Sequence, residues 1–212
     1  MGAPGSHRNI RPTALPPPAA SMPATPLAHL AQPALLAAFA LVAFAASWPA
    51  RAQAPLPTVA KVDLERYLGR WYELARLPNR FQAQCTGNVV ATYSPLSANA
   101  VKVVNSCRTA SGEDDVANGV ARVRDLTTNA KLEVRFLPLA LAWLPFAWGD
   151  YWILDLAPDY SHALVGTPSR EYLWVLSREP TMEDARLRTL LERARALGFD
   201  DTKVVRTPQN LR

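Results

Sequence analysis

Two residues far apart in the chain have side chains that could act together. Gly69 stands two places before Trp71, which begins an alternating segment, Trp71–Leu77, typical of a strand. A glycine lets a neighbouring group approach closely, and an indole can plug a cavity if another group covers its face. Arg178 ends a later segment of the same kind, and a guanidinium stacks well on indole. We expect Trp71 to seal one end of an enclosed interior beneath Arg178, although an ordinary core position would also explain the tryptophan.

Residues that could hold a metal or a cofactor are few. The chain of 212 residues has three histidines and two cysteines, and His162 is the single histidine after residue 52. A site with several histidines is therefore excluded beyond that point, and a zinc site based on cysteine would need more ligands. We predict no metal site and no cofactor.

The first 52 residues differ in composition from the rest. They hold three arginines and no acidic residue, whereas the remainder has 20 basic and 18 acidic residues. That near-neutral balance does not suggest a nucleic-acid partner. Residues 1–57 contain eleven of the nineteen prolines, too many for a folded unit. The apolar run 34–46 is short for a membrane span and suits the core of a signal peptide.

We predict an exported protein whose leader is cleaved after Ala52, behind the small residue Ala50. Translation starting at Met22 is an alternative, and so is an uncleaved membrane anchor. No cysteine lies near the cleavage point, so a lipid anchor has no attachment atom there. The predicted divisions are 1–52 leader, 53–59 linker, 60–207 barrel domain and 208–212 tail.

Short alternating segments separated by turn residues follow the leader. Leu132, Val134 and Phe136, for example, alternate with charged neighbours, as in a strand with one wet face. This regular spacing favours an antiparallel sandwich or barrel. The predicted strands are Trp71–Leu77, Asn88–Tyr93, Ala100–Cys107, Val116–Arg124, Lys131–Leu137, Asp150–Leu156, His162–Thr167 and Tyr172–Ser177.

Helical patterns flank these strands. Asp63–Tyr67 resembles a short helical turn. Thr181 with Asp184 resembles a helix cap, and Gly198 would end the helix that follows. We expect this helix to pack outside the sheet, with Lys203–Arg206 as a last edge strand. Its apolar stripe is Leu187, Leu190, Leu191, Ala194 and Leu197.

Cys85 precedes the second predicted strand, and Cys107 ends the third. A turn centred near residue 96 would place both at the same distance from it, facing each other across the pair. We predict a disulfide, which suits an exported protein and would contribute about 3 kcal/mol. Two free buried thiols are the alternative.

Three short segments resemble the signature regions of the lipocalins. They are Gly69-Arg70-Trp71-Tyr72-Glu73, Pro158-Asp159-Tyr160 and Ser177-Arg178. The segments 149–156, 163–166 and 172–178 are most similar to the bacterial branch, which includes apolipoprotein D-like and plant stress-induced members. The resemblance covers about residues 60–207.

The resemblance implies an all-β fold, an eight-stranded antiparallel up-and-down barrel that holds one apolar ligand, with the C-terminal α-helix packed outside. Arg178 would then lie over Trp71 at the closed end. The implied floor is formed by Gly69, Trp71, Asp159, Tyr160 and Arg178. Similar bacterial members are often lipid-anchored at the outer membrane. Because the cysteine is missing here, we expect a periplasmic or envelope protein, with outer-membrane association left open.

Alternation assigns ten residues to the ligand-binding inner face. Such a wall would take a fatty acid, a lysophospholipid or another lipid by burying alkyl surface, unless bulky side chains fill the barrel. Glu73 shares this face and would need a partner, either Arg178 or a tyrosine. The ten residues are Ala91, Tyr93, Val103, Val134, Phe136, Tyr151, Ile153, Val165, Trp174 and Leu176.

The connection 138–148 is unusually apolar and contains Trp143 and Trp148. It would contact a membrane, cover the cavity or fold over its own barrel. The main functional hypothesis is binding, storage or transport of a lipid by a monomer or homodimer. The alternatives are envelope maintenance through membrane contact and an enzyme acting on lipids. The enzyme is disfavoured because His162 should lie near the floor, away from the mouth.

Overall fold

The computed structural model describes residues 54–144 and 146–209, so the predicted leader lies outside the described residues. The barrel strands are β1 Gly69–Arg76, β2 Cys85–Ser97, β3 Ala100–Thr109, β4 Asp114–Val123, β5 Lys131–Arg135, β6 Gly149–Leu156, β7 His162–Gly166 and β8 Leu173–Ser177. Consecutive strands pair antiparallel from β2 to β8, and β1 pairs with both β8 and β2. The sheet is therefore a closed eight-stranded barrel, as predicted.

Helices lie before and after the barrel strands. Helix α1, Leu64–Tyr67, precedes β1 and is capped by Asp63, whose side chain accepts from two backbone N–H groups. Helix α2, Asp184–Ala196, packs outside the barrel. Short 3₁₀ turns cover Arg80–Gln82, Leu139–Leu141 and Asp201–Lys203, and β9 is Val205–Arg206.

Helix α2 confirms the predicted apolar stripe but not the predicted cap. Leu187, Leu190 and Ala194 are buried against the barrel. The cap by Thr181 is wrong, because the helix starts only after Glu183 and no side chain caps it. Gly198 ends the helix with a φ of +90°, a conformation that glycine adopts without strain.

Side-chain alternation divides the apolar residues between two cores. Ile153 and Val165 point into the barrel, whereas their neighbours Leu154 and Leu164 point outward toward α2. Leu56, in the predicted linker, is buried in this outer core. Both faces of β7 and β8, and of the middle of β6, are therefore buried, which explains the continuous apolar runs in these strands.

The hairpin of β2 and β3 turns later than predicted. Tyr93 pairs with Val103, so the turn is at residues 98–99 and β2 continues through Pro95. Proline is tolerated there because β1 begins opposite Tyr93, which leaves β2 as an edge strand beyond that point. Cys85 consequently does not pair directly with Cys107.

The two cysteines nevertheless form the predicted disulfide, with 5.6 Å between their Cα atoms. The backbone register shifts on both sides of Gly87 and brings Cys85 opposite Thr109. These irregularities compensate for the later turn. The bond fastens the beginning of β2 to the end of β3 near the mouth of the barrel.

The C-terminal segment completes the wall between β1 and β2. Direct pairing of these strands covers Gly69–Tyr72, and β9 takes over beside Ala75 and Arg76. The Gln209 side chain donates to the carbonyl oxygens of Glu73 and Val89, 2.8 and 2.9 Å away. Gln209, which lies in the predicted tail, therefore belongs to the barrel wall.

Candidate functional site

The closed end of the barrel is sealed by Trp71 beneath Arg178. The indole is fully buried and donates from Nε1 to the Tyr67 carbonyl at 2.9 Å. The Arg178 guanidinium carbon lies 3.9 Å from the centroid of the Trp71 ring. Arg178 also donates to the carbonyl oxygens of Arg70 at 2.9 Å, Arg66 at 2.7 Å and Tyr160 at 3.4 Å. One cation thus covers the tryptophan and ties three chain segments together.

Gly69 is required by this arrangement for two reasons. Its φ is +94°, a backbone conformation that residues with a side chain adopt only under strain. In addition, a Cβ at this position would lie 3.3 Å from Nη1 of Arg178. Tyr160, at φ +64°, accepts at its hydroxyl from the Asp63 N–H at 2.9 Å, which attaches the β6–β7 turn to the start of α1. Hydrogen bonds from Ser161 lower the pKa of Asp159 in that same turn.

Three tyrosine hydroxyls lie next to one another above the floor. The Tyr151 hydroxyl is 2.9 Å from that of Tyr67 and 3.0 Å from that of Tyr93. Burial raises the pKa of Tyr93 to about 12 and the pKa values of Tyr67 and Tyr151 well above 10, so all three are neutral at physiological pH. Their rings continue the aromatic stack from Trp71, whose centroid is 4.8 Å from that of Tyr67.

A small cavity of about 10 Å³ adjoins these hydroxyls. That volume is about the space of one water molecule. The cavity lies between α1 and the inner faces of β2 to β6. Its lining consists of Leu64, Tyr67, Leu68, Tyr93, Val101, Ala121, Leu132, Val134 and Tyr151.

The inner wall becomes more exposed away from the floor on three neighbouring strands. On each of them the residue nearest the floor is buried, the next is half-buried and the one nearest the opposite rim is exposed. In that order the residues are Ala121, Gly119 and Ala117 on β4; Leu132, Val134 and Phe136 on or just after β5; and Ile153, Tyr151 and Gly149 on β6. Solvent therefore enters this side of the barrel from the end opposite Trp71.

Nine of the ten predicted wall residues belong to or pack against the interior apolar cluster. The other, Phe136, follows the end of β5 and is 42% exposed at the rim. Its ring lies over Gly119, where a Cβ would come within 2.7 Å. Whether these ten residues contact a ligand stays a prediction.

Glu73 lies inside the barrel at 3% exposure, but its predicted partners are wrong. Its carboxylate pairs with Arg76 at 3.0 Å rather than with Arg178 or a tyrosine. It also accepts from Thr207 Oγ1 at 2.5 Å and Gln82 Nε2 at 2.6 Å. The register shift between Glu73 and Ala75 turns Arg76 inward, opposite the inward-facing Trp174.

Gln82 connects this buried ion pair to the mouth of the barrel. It lies in the loop between β1 and β2, and its Oε1 accepts from Trp174 Nε1 at 3.0 Å. Sequence reasoning missed Arg76, Gln82 and Thr207 because no motif marks them. The one available signal was that Glu73 alternates with Trp71. This places the carboxylate of Glu73 inside the barrel, where it needs a partner.

The apolar connection 138–148 divides into an anchored end and a free end. The guanidinium carbons of Arg122 and Arg135 lie 3.8 and 5.2 Å from the centroid of the Trp148 ring. Its Nε1 donates to the Ala142 carbonyl at 3.1 Å. Ahead of this anchor, the side chains of three large residues are 73–78% exposed: Leu139, Trp143 and Phe146.

Within residues 54–144 and 146–209, no helix is long and apolar enough to cross a membrane.

His162 lies on the outer side of β7, where its Nδ1 is 2.9 Å from Ser161 Oγ and 3.4 Å from Arg186 Nη1. Burial and the neighbouring charge of Arg186 lower the pKa of His162. This histidine faces the groove beside α2 rather than the barrel interior.

Comparison with known proteins agrees with this architecture. A family model described as a lipocalin-like domain matches residues 62–209. Temperature-induced lipocalin-1 of Arabidopsis thaliana is 38% identical over 156 residues, which are 73% of this chain and 83% of that protein. The outer membrane lipoprotein Blc of Escherichia coli strain K12 is 36% identical over 173 residues, covering 81% of this chain and 92% of that protein. Insecticyanin from the tobacco hornworm Manduca sexta has a TM-score of 0.58 at 19% identity, covers 74% of this chain and 85% of its own, and shares the fold.

An antiparallel barrel with one sealed end is the architecture of proteins that enclose a small ligand. The matched domain and the two relatives show that the chain belongs to the lipocalin family. Members of this family are in general binding and transport proteins for small hydrophobic molecules.

Proposed function

We propose that this lipocalin binds one long-chain lipid, a fatty acid or a lysophospholipid, inside its barrel and stores or carries it in a bacterial cell envelope. The observation that carries the proposal is the graded exposure of the inner wall from Ala121 to Ala117 and from Ile153 to Gly149. The inner wall is apolar near the floor and solvent-accessible near the opposite rim, so the ligand would enter from that rim only. The name of the Escherichia coli relative, an outer membrane lipoprotein, supports the envelope location.

The energetics favour an alkyl chain over a compact polar ligand. Each methylene that leaves water contributes about 0.8 kcal/mol, so a long chain offsets the cost of ordering and reaches micromolar affinity. The disulfide between Cys85 and Cys107 supports export, because such bonds persist in oxidising compartments. We propose that the protein acts by binding alone, and the outward position of His162 supports this.

Replacing Val134 by tryptophan tests the binding site. Val134 is half-buried on the inner wall, so the indole should occupy the space of the ligand chain. We expect the affinity for a dansylated C11 fatty acid, followed by fluorescence, to fall at least about tenfold, because losing about two buried methylenes costs about 1.6 kcal/mol.

Val116→Trp is the matched control, since Val116 is 52% exposed near the mouth and alternates outward from Ala117. It should bind the probe as the unmodified protein does. Native mass spectrometry of the purified protein, followed by lipid extraction, identifies what it carries. A protein that is recovered empty and also fails to bind the probe would contradict the proposal.

A second candidate function is membrane contact through Leu139, Trp143 and Phe146. Large apolar side chains exposed together usually meet a partner, and tryptophan favours the membrane interface. These residues belong to the β5–β6 connection at the open end, so contact there would bring the mouth of the barrel to the lipid. This candidate does not exclude ligand binding.

The variant Trp143→Ser with Phe146→Ser tests this contact. We expect co-sedimentation with phosphatidylethanolamine–phosphatidylglycerol vesicles to fall about fivefold or more, because two interfacial aromatic anchors are lost. Leu96→Ser with Leu126→Ser is the control, because these exposed residues lie at the closed end. Equal sedimentation of both variants and the unmodified protein would rule the contact out. Trp148 is left intact because it packs on Arg122 and Arg135.

A further inference from the structure

We propose that the three tyrosine hydroxyls above the floor form the binding site for the polar end of the ligand, and that a fatty acid enters this barrel carboxyl group first. The inference rests on the proposed function and adds to it the orientation of the ligand and the chemistry of its leading end. It concerns Tyr67, Tyr93 and Tyr151, of which the last two are in the predicted wall.

The hydroxyl protons do not balance within the cluster. Three hydroxyls carry three protons, but the two hydrogen bonds that join Tyr67 to Tyr151 and Tyr151 to Tyr93 use only two. Among the described residues no further acceptor lies within hydrogen-bonding distance of these oxygens. One proton is thus left for a group that enters the barrel.

Tyr151 is placed to present that proton to an incoming ligand. It is the central hydroxyl, and Tyr151 is half-buried whereas Tyr67 and Tyr93 are buried. When both neighbours donate to it, its own proton points away from them. Donation by both neighbours also polarises the central O–H, which makes it a stronger donor.

The surroundings favour a head group that accepts hydrogen bonds over one that only donates them. The cavity beside the hydroxyls is lined otherwise by aliphatic residues, so an entering group finds hydroxyl donors and no carboxylate. Arg178 lies behind Trp71, and its positive charge acts on Tyr67 and Tyr93. The buried carboxylate of Glu73 is paired with Arg76, on the side of the wall nearer the mouth. A carboxyl group satisfies these conditions, and a donor-only head such as an ammonium does not.

The cavity at the hydroxyls admits a small group rather than a bulky one. A volume of about 10 Å³ accommodates one water, and a carboxylate oxygen can take the position of that water. A phosphocholine or glycerol head cannot, so it would remain toward the exposed rim. Head-first binding is therefore specific to simple fatty acids.

Tyr151→Phe tests the proposal, with hexadecanoic acid and hexadecylamine as probes in a displacement titration. We expect affinity for the acid to fall about tenfold, because a hydrogen bond to the carboxyl group is lost. Affinity for the amine should change less than about twofold, since an ammonium accepts no hydrogen bond. Tyr72→Phe is the matched control on the outward side of β1 and should bind both probes as the unmodified protein does.

Each outcome of the titration decides a separate question. Equal loss of both probes in Tyr151→Phe, or unchanged binding of the acid, would overturn the head-first orientation and leave the proposed function intact. Failure of the unmodified protein to bind either probe would refute the proposed function itself.

A second measurement does not depend on how the variant folds. Stearic acids with a nitroxide at carbon 5 or at carbon 16 are bound to the unmodified protein, and the indole N–H resonance of Trp71 is followed by NMR. Carboxyl-first binding predicts stronger broadening by the carbon-5 label. Stronger broadening by the carbon-16 label would place the carboxyl group at the mouth and overturn the proposal.

Discussion

Replacing Arg178 by alanine is expected to lower the free energy of unfolding by about 3 kcal/mol. The substitution removes charged donors from the carbonyl oxygens of Arg66, Arg70 and Tyr160 and uncovers the face of Trp71. Hydrogen bonds from a cation contribute about 1.5–3 kcal/mol each when buried, and their partial exposure here reduces the sum. Chemical denaturation followed by tryptophan fluorescence measures the change.

Arg66→Ala is the matched control at the same end of the barrel. Arg66 donates to one carbonyl, that of Pro158, and lies 4.0 Å over the Tyr160 ring. Because it is exposed and covers no buried indole, its loss should cost about 1 kcal/mol or less. Arg178→Lys should fall between the two, since one ammonium cannot span three carbonyls. An Arg178→Ala protein as stable as Arg66→Ala would show that the floor is held by packing alone.

Alternation of side chains could predict those parts of the fold where every second residue of a strand points into the barrel interior. Leu132 and Val134 in β5 are a clear case, and the interior positions of Ile153 and Val165 follow from the same rule. The floor could be predicted for another reason. A guanidinium stacks on the face of an indole, and a nearby glycine leaves room for this close approach. These signals depend on residues within a few positions of one another or on a motif.

Features that arise where segments distant in sequence meet could not be predicted. Arg76 points inward only because the register against β8 shifts after Glu73, and periodicity does not show such a shift. Thr207 and Gln82 reach the same carboxylate from the C-terminal segment and from a loop. The turn at residues 98–99 was missed because a proline usually ends a strand, whereas Pro95 lies where β2 has a free edge.

The second large effect is expected at the buried pair of Glu73 and Arg76. Glu73→Leu should lower the free energy of unfolding by about 3–5 kcal/mol, because it leaves the Arg76 guanidinium, 12% exposed, without its counter-charge. Nε of Arg76 is already buried without a partner among the described residues, and the remaining contacts of the guanidinium, with Thr207 Oγ1 and the Gln82 carbonyl, carry no negative charge. Arg76→Met should cost a similar amount, because it leaves the carboxylate of Glu73 unpaired. Urea denaturation of each variant measures the loss.

The double variant Glu73→Leu with Arg76→Met distinguishes an unpaired charge from lost packing. The stability loss of each single variant is expected to arise from a buried charge that has lost its partner. The double variant should then cost only about 2 kcal/mol, since both charges are gone and only the Thr207 and Gln82 contacts are lost. Losses that simply add would show that the two charges are not coupled. Strong coupling would mean that the two charges act as one unit that stabilises the wall beside β9.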